Sequence, residues 1–402
     1  MMQAYLEDLE RALKQKLEEK PTARRRFVYE IGRLGTRLFD GRWSVAWTTV
    51  FVPFEILHSM GVAGNFIEFV GAMLAGTGAG SPFLERAEAA GYSTDSCSYH
   101  RAILGAAMER LIPDPRVLIG ASFPCDGGIK ALKRIGELHH KDVFLLHIPF
   151  ESTPEAVDYL ADQYRRMAEH ITAATGKTLD LDILRETIRR SNQAREYLVE
   201  ALDFCKRVPC PADAHDLKNF IVFVLLLGTP EGVEVARMYR DQFKDLAERG
   251  GGGMAGERHR LLWIQNRIQF KNDLIRMLEE EFGANIVIDE LNHVYWEPMD
   301  EADPLRGLAR RMITHPLLGP IDRRLETLSM LAREYHVDGA INPAHWGCRQ
   351  SGGARHMFKE ALQKVGVPLL HLDVDCVDER NYSEGQVRTR LEAFMEMLGD
   401  GK

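Results

Sequence analysis

The sequence predicts an α/β protein built on two open parallel sheets, with helical segments at the N-terminus and in the middle. Three observations carry this. Residues 41–150 alternate short apolar runs with stretches of helical period, the pattern of a parallel sheet covered by helices. The same alternation resumes after residue 250 and lasts to the end of the chain. Between 151 and 249 the strand signal disappears and long amphipathic patterns replace it.

In order along the chain, 3–19 and 24–38 read as charged amphipathic helices, with Leu6, Leu9, Leu13 and Leu17 at helical spacing in the first. The run 43–52, rich in Trp, Val, Thr and Phe, reads as a strand. Pro53 then opens a helix in its first turn. The small-residue stretch 61–80 reads as turns marked by Gly71, Gly76, Gly78 and Gly80. A buried strand is expected at 117–121, a turn around Pro124, Gly127 and Gly128, a helix over 129–139 and a strand over 143–148. Thr153 and Pro154 form an N-cap followed by proline at the first helical position, and long helices follow over 153–175 and 179–205. Helices continue through 213–228 and 230–248, and the glycine run 250–253 with Gly256 reads as a linker. Strands at 260–264, 285–289, 338–341 and 368–374 then alternate with helices, and a helix over 384–398 closes the chain. The expected domains are therefore 1–40, helical; 41–150, the first α/β domain; 151–249, helical; and 250–402, the second α/β domain. Both sheets are expected to be of the open flavodoxin/Rossmann-like kind. Their shared alternation is compatible with a pseudo-repeat, which the sequence alone does not establish.

Composition bounds the function. A chain of 402 residues, 45% hydrophobic and 27% charged, buries more than one core. It is neither fibrous nor disordered nor a small disulfide-stapled module. Net charge is −8 with no basic block, so nucleic acid is not an expected partner. No apolar run approaches the roughly 18 residues that cross a bilayer, so no membrane association is expected. The charged, helix-like N-terminus does not read as a secretory signal. A cytoplasmic location is the expectation, where the six cysteines stay reduced and are free, catalytic or metal-bound.

Ligands of open α/β sheets collect outside the carboxyl ends of the strands. Three cysteines fall there. Cys125 follows the strand at 117–121. Cys348 lies in Asn342-Pro-Ala-His-Trp-Gly-Cys-Arg-Gln350, read as the loop after the strand at 338–341. Cys97 stands at the start of a helix. A helix N-terminus stabilises a thiolate. Three thiolates without a histidine pattern suit an iron–sulfur cluster or, less well, zinc. Buried free cysteine is the alternative for each. Cys205 and Cys210, a Cys-x4-Cys pair flanked by Pro209 and Pro211, are either half a metal site or, with no second pair nearby to complete it, a helix end and a loop; Cys376 is either a further ligand or a pocket wall. Glu55 follows the first strand directly, as a base or substrate-holding group, or as an ordinary first-turn acid. Asp373 and Asp375 share that ambiguity. His345, Trp346 and Arg349 around Cys348 either hold an anion, tune a cluster, or pack; Tyr99 and Arg101 after Cys97 have the same two sides. The chain has no Gly-x4-Gly-Lys-Ser/Thr phosphate loop, no His-Glu-x-x-His and no Gly-x-Ser-x-Gly.

Taken together, Val52-Pro-Phe-Glu-Ile56, Asp95-Ser-Cys-Ser-Tyr99, Phe123-Pro-Cys-Asp126, Cys348 in its loop, the strand 367–374 and Asp378-Glu-Arg-Asn-Tyr-Ser-Glu384 leading into Arg388-Thr-Arg-Leu-Glu-Ala-Phe394 make a pattern. From about residue 45 onward the chain resembles the cluster-bearing subunits of the 2-hydroxyacyl-CoA dehydratase / benzoyl-CoA reductase superfamily. The resemblance implies one [4Fe–4S] cluster held by Cys97, Cys125 and Cys348 between two α/β domains. It implies a related cluster-bearing partner subunit and a separate ATP-dependent iron–sulfur activator, in keeping with the missing phosphate loop. In dehydratases the injected electron turns an (R)-2-hydroxyacyl-CoA into a ketyl radical, and loss of hydroxide and a proton gives the 2-enoyl-CoA. In class I benzoyl-CoA reductases related subunits reduce an aromatic ring. The expectation is a dehydratase subunit with Glu55 as its catalytic candidate; the alternatives are a ring-reductase subunit, an electron-relay subunit that never meets substrate, or a zinc-bound structural protein. Relatives with a larger double cluster need six cysteines, but the helical setting of Cys205 and Cys210 argues against that form here.

Overall fold

The computed structural model describes residues 2–217 and 220–399. It contains two four-stranded sheets, each entirely parallel. The first is made of β1 (Val45–Thr48), β2 (Ala63–Phe66), β3 (Val117–Ala121) and β4 (Val143–Leu146), in the order β2-β1-β3-β4. The second is made of β5 (His259–Trp263), β6 (Ala284–Asp289), β7 (Gly339–His345) and β8 (Leu369–Val374), in the order β6-β5-β7-β8. The two halves thus repeat one topology, with strand order reversing between β1 and β3 and again between β5 and β7.

Both faces of each sheet are covered, and the strand period distributes the side chains. Ala46 and Ile119 pack into a core shared with the helix Pro154–Thr175, while Trp47 and Leu118 face the opposite way onto Ile103, Leu132 and Ile135. In the second sheet Leu262 and Ala340 face one core, and Leu261, Trp263 and Ile341 the other. Each fully buried leucine or isoleucine among these stabilises the fold by about 1.5–3 kcal/mol before its entropy cost is counted.

Several elements differ from expectation. The strand expected over 43–52 is only Val45–Thr48, and Pro53 is the N-cap of the helix Phe54–Ser59 rather than its first residue. The stretch 61–80 is not a series of turns: it holds β2 and the helix Ile67–Gly76. Ala63-Gly64-Asn65-Phe66 has no β-branched residue, so nothing local announces an edge strand. Gly71 lies inside the helix because a Cβ there would sit 2.7 Å from the Tyr99 carbonyl oxygen. The strand β7 runs on to His345, so 342–345 is strand and not loop. Its pairing with β5 ends at Ile341, and Pro343, which has no N–H to give, falls where β8 is its only neighbour. The expected helix over 213–228 is a short turn, Ala214–Leu217, and a 3-10 segment, Phe220–Leu225; positions 218 and 219 lie outside the described residues. Within the glycine run read as a linker, 251–253 are packed while Gly250 and Gly256 stand open: a Cβ on Gly253 would meet the Ala212 carbonyl carbon at 2.3 Å. Among the described residues no helix is long and apolar enough to cross a membrane.

The helix Ser98–Met108 crosses the helix Ser81–Ala89 at Gly105, where a Cβ would lie 1.9 Å from the Phe83 carbonyl oxygen. Gly105→Ala is expected to cost about 1–3 kcal/mol through overpacking, or more because the obstacle is backbone. Gly385→Ala, with open space around the position, should cost nothing. Urea midpoints of the two variants check this.

Candidate functional site

The carboxyl ends of the two sheets carry the three cysteine loops. Cys97 is the N-cap of the helix Ser98–Met108, Cys125 of the helix Asp126–His139, and Cys348 of the short helix Arg349–Gly352. Each thiol therefore lies at the electropositive end of a helix, where backbone N–H groups favour negative charge. Cys205 and Cys210 lie apart from these loops, wholly buried among helical core residues.

The three loops are tied in pairs. Gly347 has φ +72°, and a Cβ there would stand 2.6 Å from the Cys97 backbone nitrogen, so only glycine lets the Cys348 loop lie against Cys97. His345 Nε2 reaches the Cys97 sulfur at 3.4 Å from the end of β7. The Gln350 amide donates to the Pro124 carbonyl at 3.0 Å, joining the Cys348 loop to the Cys125 loop. His100 closes the third side: a Cβ on Gly127 would be 2.8 Å from its Nδ1, two residues beyond Cys125. Farther out, Arg324 holds the Gln350 carbonyl at 2.5 Å and pairs with both oxygens of Glu290 at 2.5 and 2.9 Å.

Electrostatics separate the thiols. Burial disfavours ionisation of Cys97, but the imidazoles of His100 and His345 outweigh it and hold its pKa at about 5. Burial pushes the Cys125 thiol up. Cys348 faces the Asn266 amide at 3.9 Å. Among the described residues no three side chains converge as the ligands of a single ion would. A [4Fe–4S] cubane places its cysteines on different irons, and the donor set of three thiols on three helix N-termini has the chemistry it requires.

Tyr99, Arg101 and Asp375 are each engaged by partners inside the protein. Arg101, 1% exposed, pairs with Glu88, Asp378 and Asp375, the latter two at 3.3 and 3.7 Å. Ser98 donates to Asp375, so the Cys97 helix is clasped to the turn after β8. The Tyr99 hydroxyl donates to the Arg267 carbonyl at 3.4 Å and its ring meets His345 edge-on. Asp373 pairs at the surface with Arg355 and Arg390. Trp346 and Arg349 are exposed beside Cys348. Cys376 is buried in the core of the second sheet, and its backbone N–H donates to His345 Nδ1 at 3.0 Å. Sequence reasoning passed over His100, Asn266, Gly347 and Gln350. The only local signal was that each lies within four residues of a candidate cysteine or just past a strand.

Glu55 is 1% exposed, and its two oxygens are taken by Arg311 at 2.5 and 2.9 Å, with the Ser191 hydroxyl donating to one at 3.0 Å. Burial opposes its charge, yet Arg311 and Ser191 prevail and hold its pKa below the ordinary 4.5. A carboxylate so held is ionised at neutral pH and has no proton to give. The residues near it continue toward the Cys125 loop: Tyr295 packs on His315 at 4.5 Å between centroids, and His315 on Phe123 at 5.4 Å. Burial, with nearby arginines, lowers His315 to about 3. Between that loop and the segment 316–321 lies a cavity of about 330 Å³, walled by Phe123, Ile148, Phe150, Leu317 and Leu318, with Arg324 and Gln350 on its polar side.

Comparison with known proteins is consistent along most of the chain. The family described as 2-hydroxyglutaryl-CoA dehydratase, D-component, matches residues 49–398. The chain is 26% identical to the (R)-phenyllactyl-CoA dehydratase alpha subunit of Clostridium sporogenes over 371 residues, 88% of this chain and 89% of the relative. It is 26% identical to a benzoyl-CoA reductase subunit of Thauera aromatica over 345 residues, 78% of each. It is 22% identical to the lactoyl-CoA dehydratase alpha subunit of Anaerotignum propionicum over 385 residues, 88% of this chain and 90% of the relative.

Glu55→Gln leaves the Arg311 charge buried and half-paired, so it should destabilise the protein by about 3–5 kcal/mol. Replacing both partners by apolar residues of similar volume should recover most of that loss in urea titrations. Acid acts in the same direction. Glu55 has a depressed pKa, so its contribution is present above pH 4.5 and is lost as pH falls through its folded value. His315 is also depressed, from 6.5 to about 3, and its contribution declines as pH drops below 6.5. His315→Phe should therefore reduce the slope of unfolding free energy against pH between 6 and 5, by about one proton at most.

Proposed function

The chain belongs to the family described as the 2-hydroxyglutaryl-CoA dehydratase D-component, and on that premise we propose that it is the [4Fe–4S]-bearing subunit of an enzyme that dehydrates an (R)-2-hydroxyacyl-CoA to the 2-enoyl-CoA. The observation that supports this most is the pairwise tying of the Cys97, Cys125 and Cys348 loops at the carboxyl edges of two sheets, each cysteine on a helix N-terminus. These three residues would hold the cluster. When bound, it supplies one low-potential electron and one iron free of cysteine that acts as a Lewis acid toward an oxygen of the thioester substrate.

The chain's own residues do the rest. The helix N-termini stabilise the thiolates. Gly347, Gln350 and His100 keep the three loops in register with one another. The apolar wall of Phe123, Ile148, Phe150, Leu317 and Leu318 suits an acyl chain, and Arg324 and Gln350 supply few, fixed polar groups. Glu55 is a positioning residue in this reading: it fixes Arg311, and with it the aromatic wall of Tyr295 and His315 behind Phe123. A second reading, a subunit of an ATP-dependent benzoyl-CoA reductase, is supported by the equal 26% identity to the benzoyl-CoA reductase relative; the dehydratase relative matches over more of both chains. In either case we propose that the chain works within a multi-subunit enzyme, as the subunit names of its relatives support, beside a second, related subunit and with its electron supplied by a separate ATP-dependent iron–sulfur activator.

Anaerobically purified protein should be brown and contain about four irons per chain. Serine at Cys97, Cys125 or Cys348 should lose iron, and serine at Cys205 should keep it. Colourless protein with stoichiometric zinc would overturn the reading. Dehydration of (R)-2-hydroxyacyl-CoA against reduction of benzoyl-CoA, assayed with partner subunit, activator and ATP, decides between the two reactions.

A further inference from the structure

Of the three cysteines, Cys97 has the closest side-chain donor, and that donor is unusually well fixed. His345 is the last residue of β7, and its side chain is fully buried. One ring nitrogen, Nδ1, receives the backbone N–H of Cys376 at 3.0 Å. The same nitrogen lies 3.6 Å from the Asp375 carboxylate. With Nδ1 turned to these two groups, Nε2 carries a proton both in the neutral ring, whose Nδ1 accepts the amide, and in the charged ring. Nε2 is the nitrogen 3.4 Å from the Cys97 sulfur. Tyr99 packs edge-on against the ring, with centroids 5.3 Å apart.

We propose that His345 is a positioning residue for the cluster: its Nε2–H donates to the Cys97 sulfur and favours the form of the cluster that has gained one electron. The inference rests on the proposed function, since it needs the cluster at Cys97, Cys125 and Cys348. Its physical basis is that hydrogen bonds to the cysteine sulfurs set the potential of such clusters. One added electron raises the negative charge on the ligand sulfurs, and no proton need move. An N–H donor held against one sulfur in a desolvated site stabilises the more negative state more than the less negative one. The potential of this subunit is then raised by a residue that touches neither substrate nor iron.

Two variants separate this role from packing. Asparagine at 345 leaves an acceptor near the Nδ1 position for the Cys376 amide but puts nothing at Nε2. Glutamine returns an amide N–H near Nε2. The full chain, purified anaerobically, is titrated by spectroelectrochemistry, and its reduced form is examined for an exchangeable proton coupled to the cluster before and after transfer to deuterated buffer. His345→Asn is expected to keep its iron, to shift the midpoint to more negative potential and to lose one coupled exchangeable proton. His345→Gln is expected to restore both towards the parent. An Asn variant with full iron and the parental midpoint would overturn the proposal. So would an Asn variant that loses its iron while Cys205→Ser keeps it, for His345 would then serve assembly and not potential. A parent chain without iron would overturn the proposed function itself, and that result is read before any variant is made.

Discussion

Arg101 is the group on which the site's geometry depends. A guanidinium that is 1% exposed must find its counter-charges inside the protein. It finds Glu88 on the helix Ser81–Ala89, and Asp375 and Asp378 in the turn after β8. Asp375 is itself held by the backbone amides of Val377 and Asp378, at 2.9 and 3.0 Å. Arg380 closes the ring by pairing with both Glu88 and Asp378. The clasp binds the Cys97 helix, which follows strands of the first sheet in sequence, to the turn at the edge of the second. With the Ser98–Asp375 and Tyr99–Arg267 hydrogen bonds it holds Cys97 against Gly347 and His345.

The repeated topology explains why two such edges face one another. A parallel sheet whose order reverses leaves a crevice at its carboxyl edge. Here the loop after β3 brings Cys125 and the loop after β7 brings Cys348. Parallel strands feed directly into helices, so a residue just past such an edge is naturally an N-cap. The Cys125 and Cys348 thiols gain the helix field as a consequence of the architecture. His100 and His345 together prevail over burial at Cys97, whereas burial prevails over His100 at Cys125, so the thiols are unequal.

The Glu55–Arg311 pair does for the other flank what Arg101 does for the centre. It links the helix Phe54–Ser59 to the helix Pro304–Ile313, and Ser191 adds the helix Leu181–Phe204. Burying Tyr164 and Tyr295 around it raises both phenols, so they remain neutral, and Tyr295 donates to the Arg311 carbonyl at 3.0 Å. A buried ion pair is weak evidence for net stability, but removing one partner is costly. In this position the pair fixes how the helical middle segment meets the wall behind Phe123.

Legible in the residues alone were the alternation of strands and helices, the positions of β3, β5, β6 and β8 to within a residue or so, the long helices Pro154–Thr175, Leu181–Phe204 and Pro230–Glu248, and the likeness that singles out Cys97, Cys125 and Cys348. These follow from local period, capping residues and motif order, all of which are carried by neighbours along the chain. Long-range packing settled the rest. It made β2 out of Ala63-Gly64-Asn65-Phe66, carried β7 through Pro343 to His345, and packed 251–253 of the glycine run. It also gave Arg101 and Glu55 their partners, 277 and 256 residues away for Asp378 and Arg311. No pattern within a short window encodes such pairings, because a buried charge or an edge strand is stable only for what the rest of the chain brings to it.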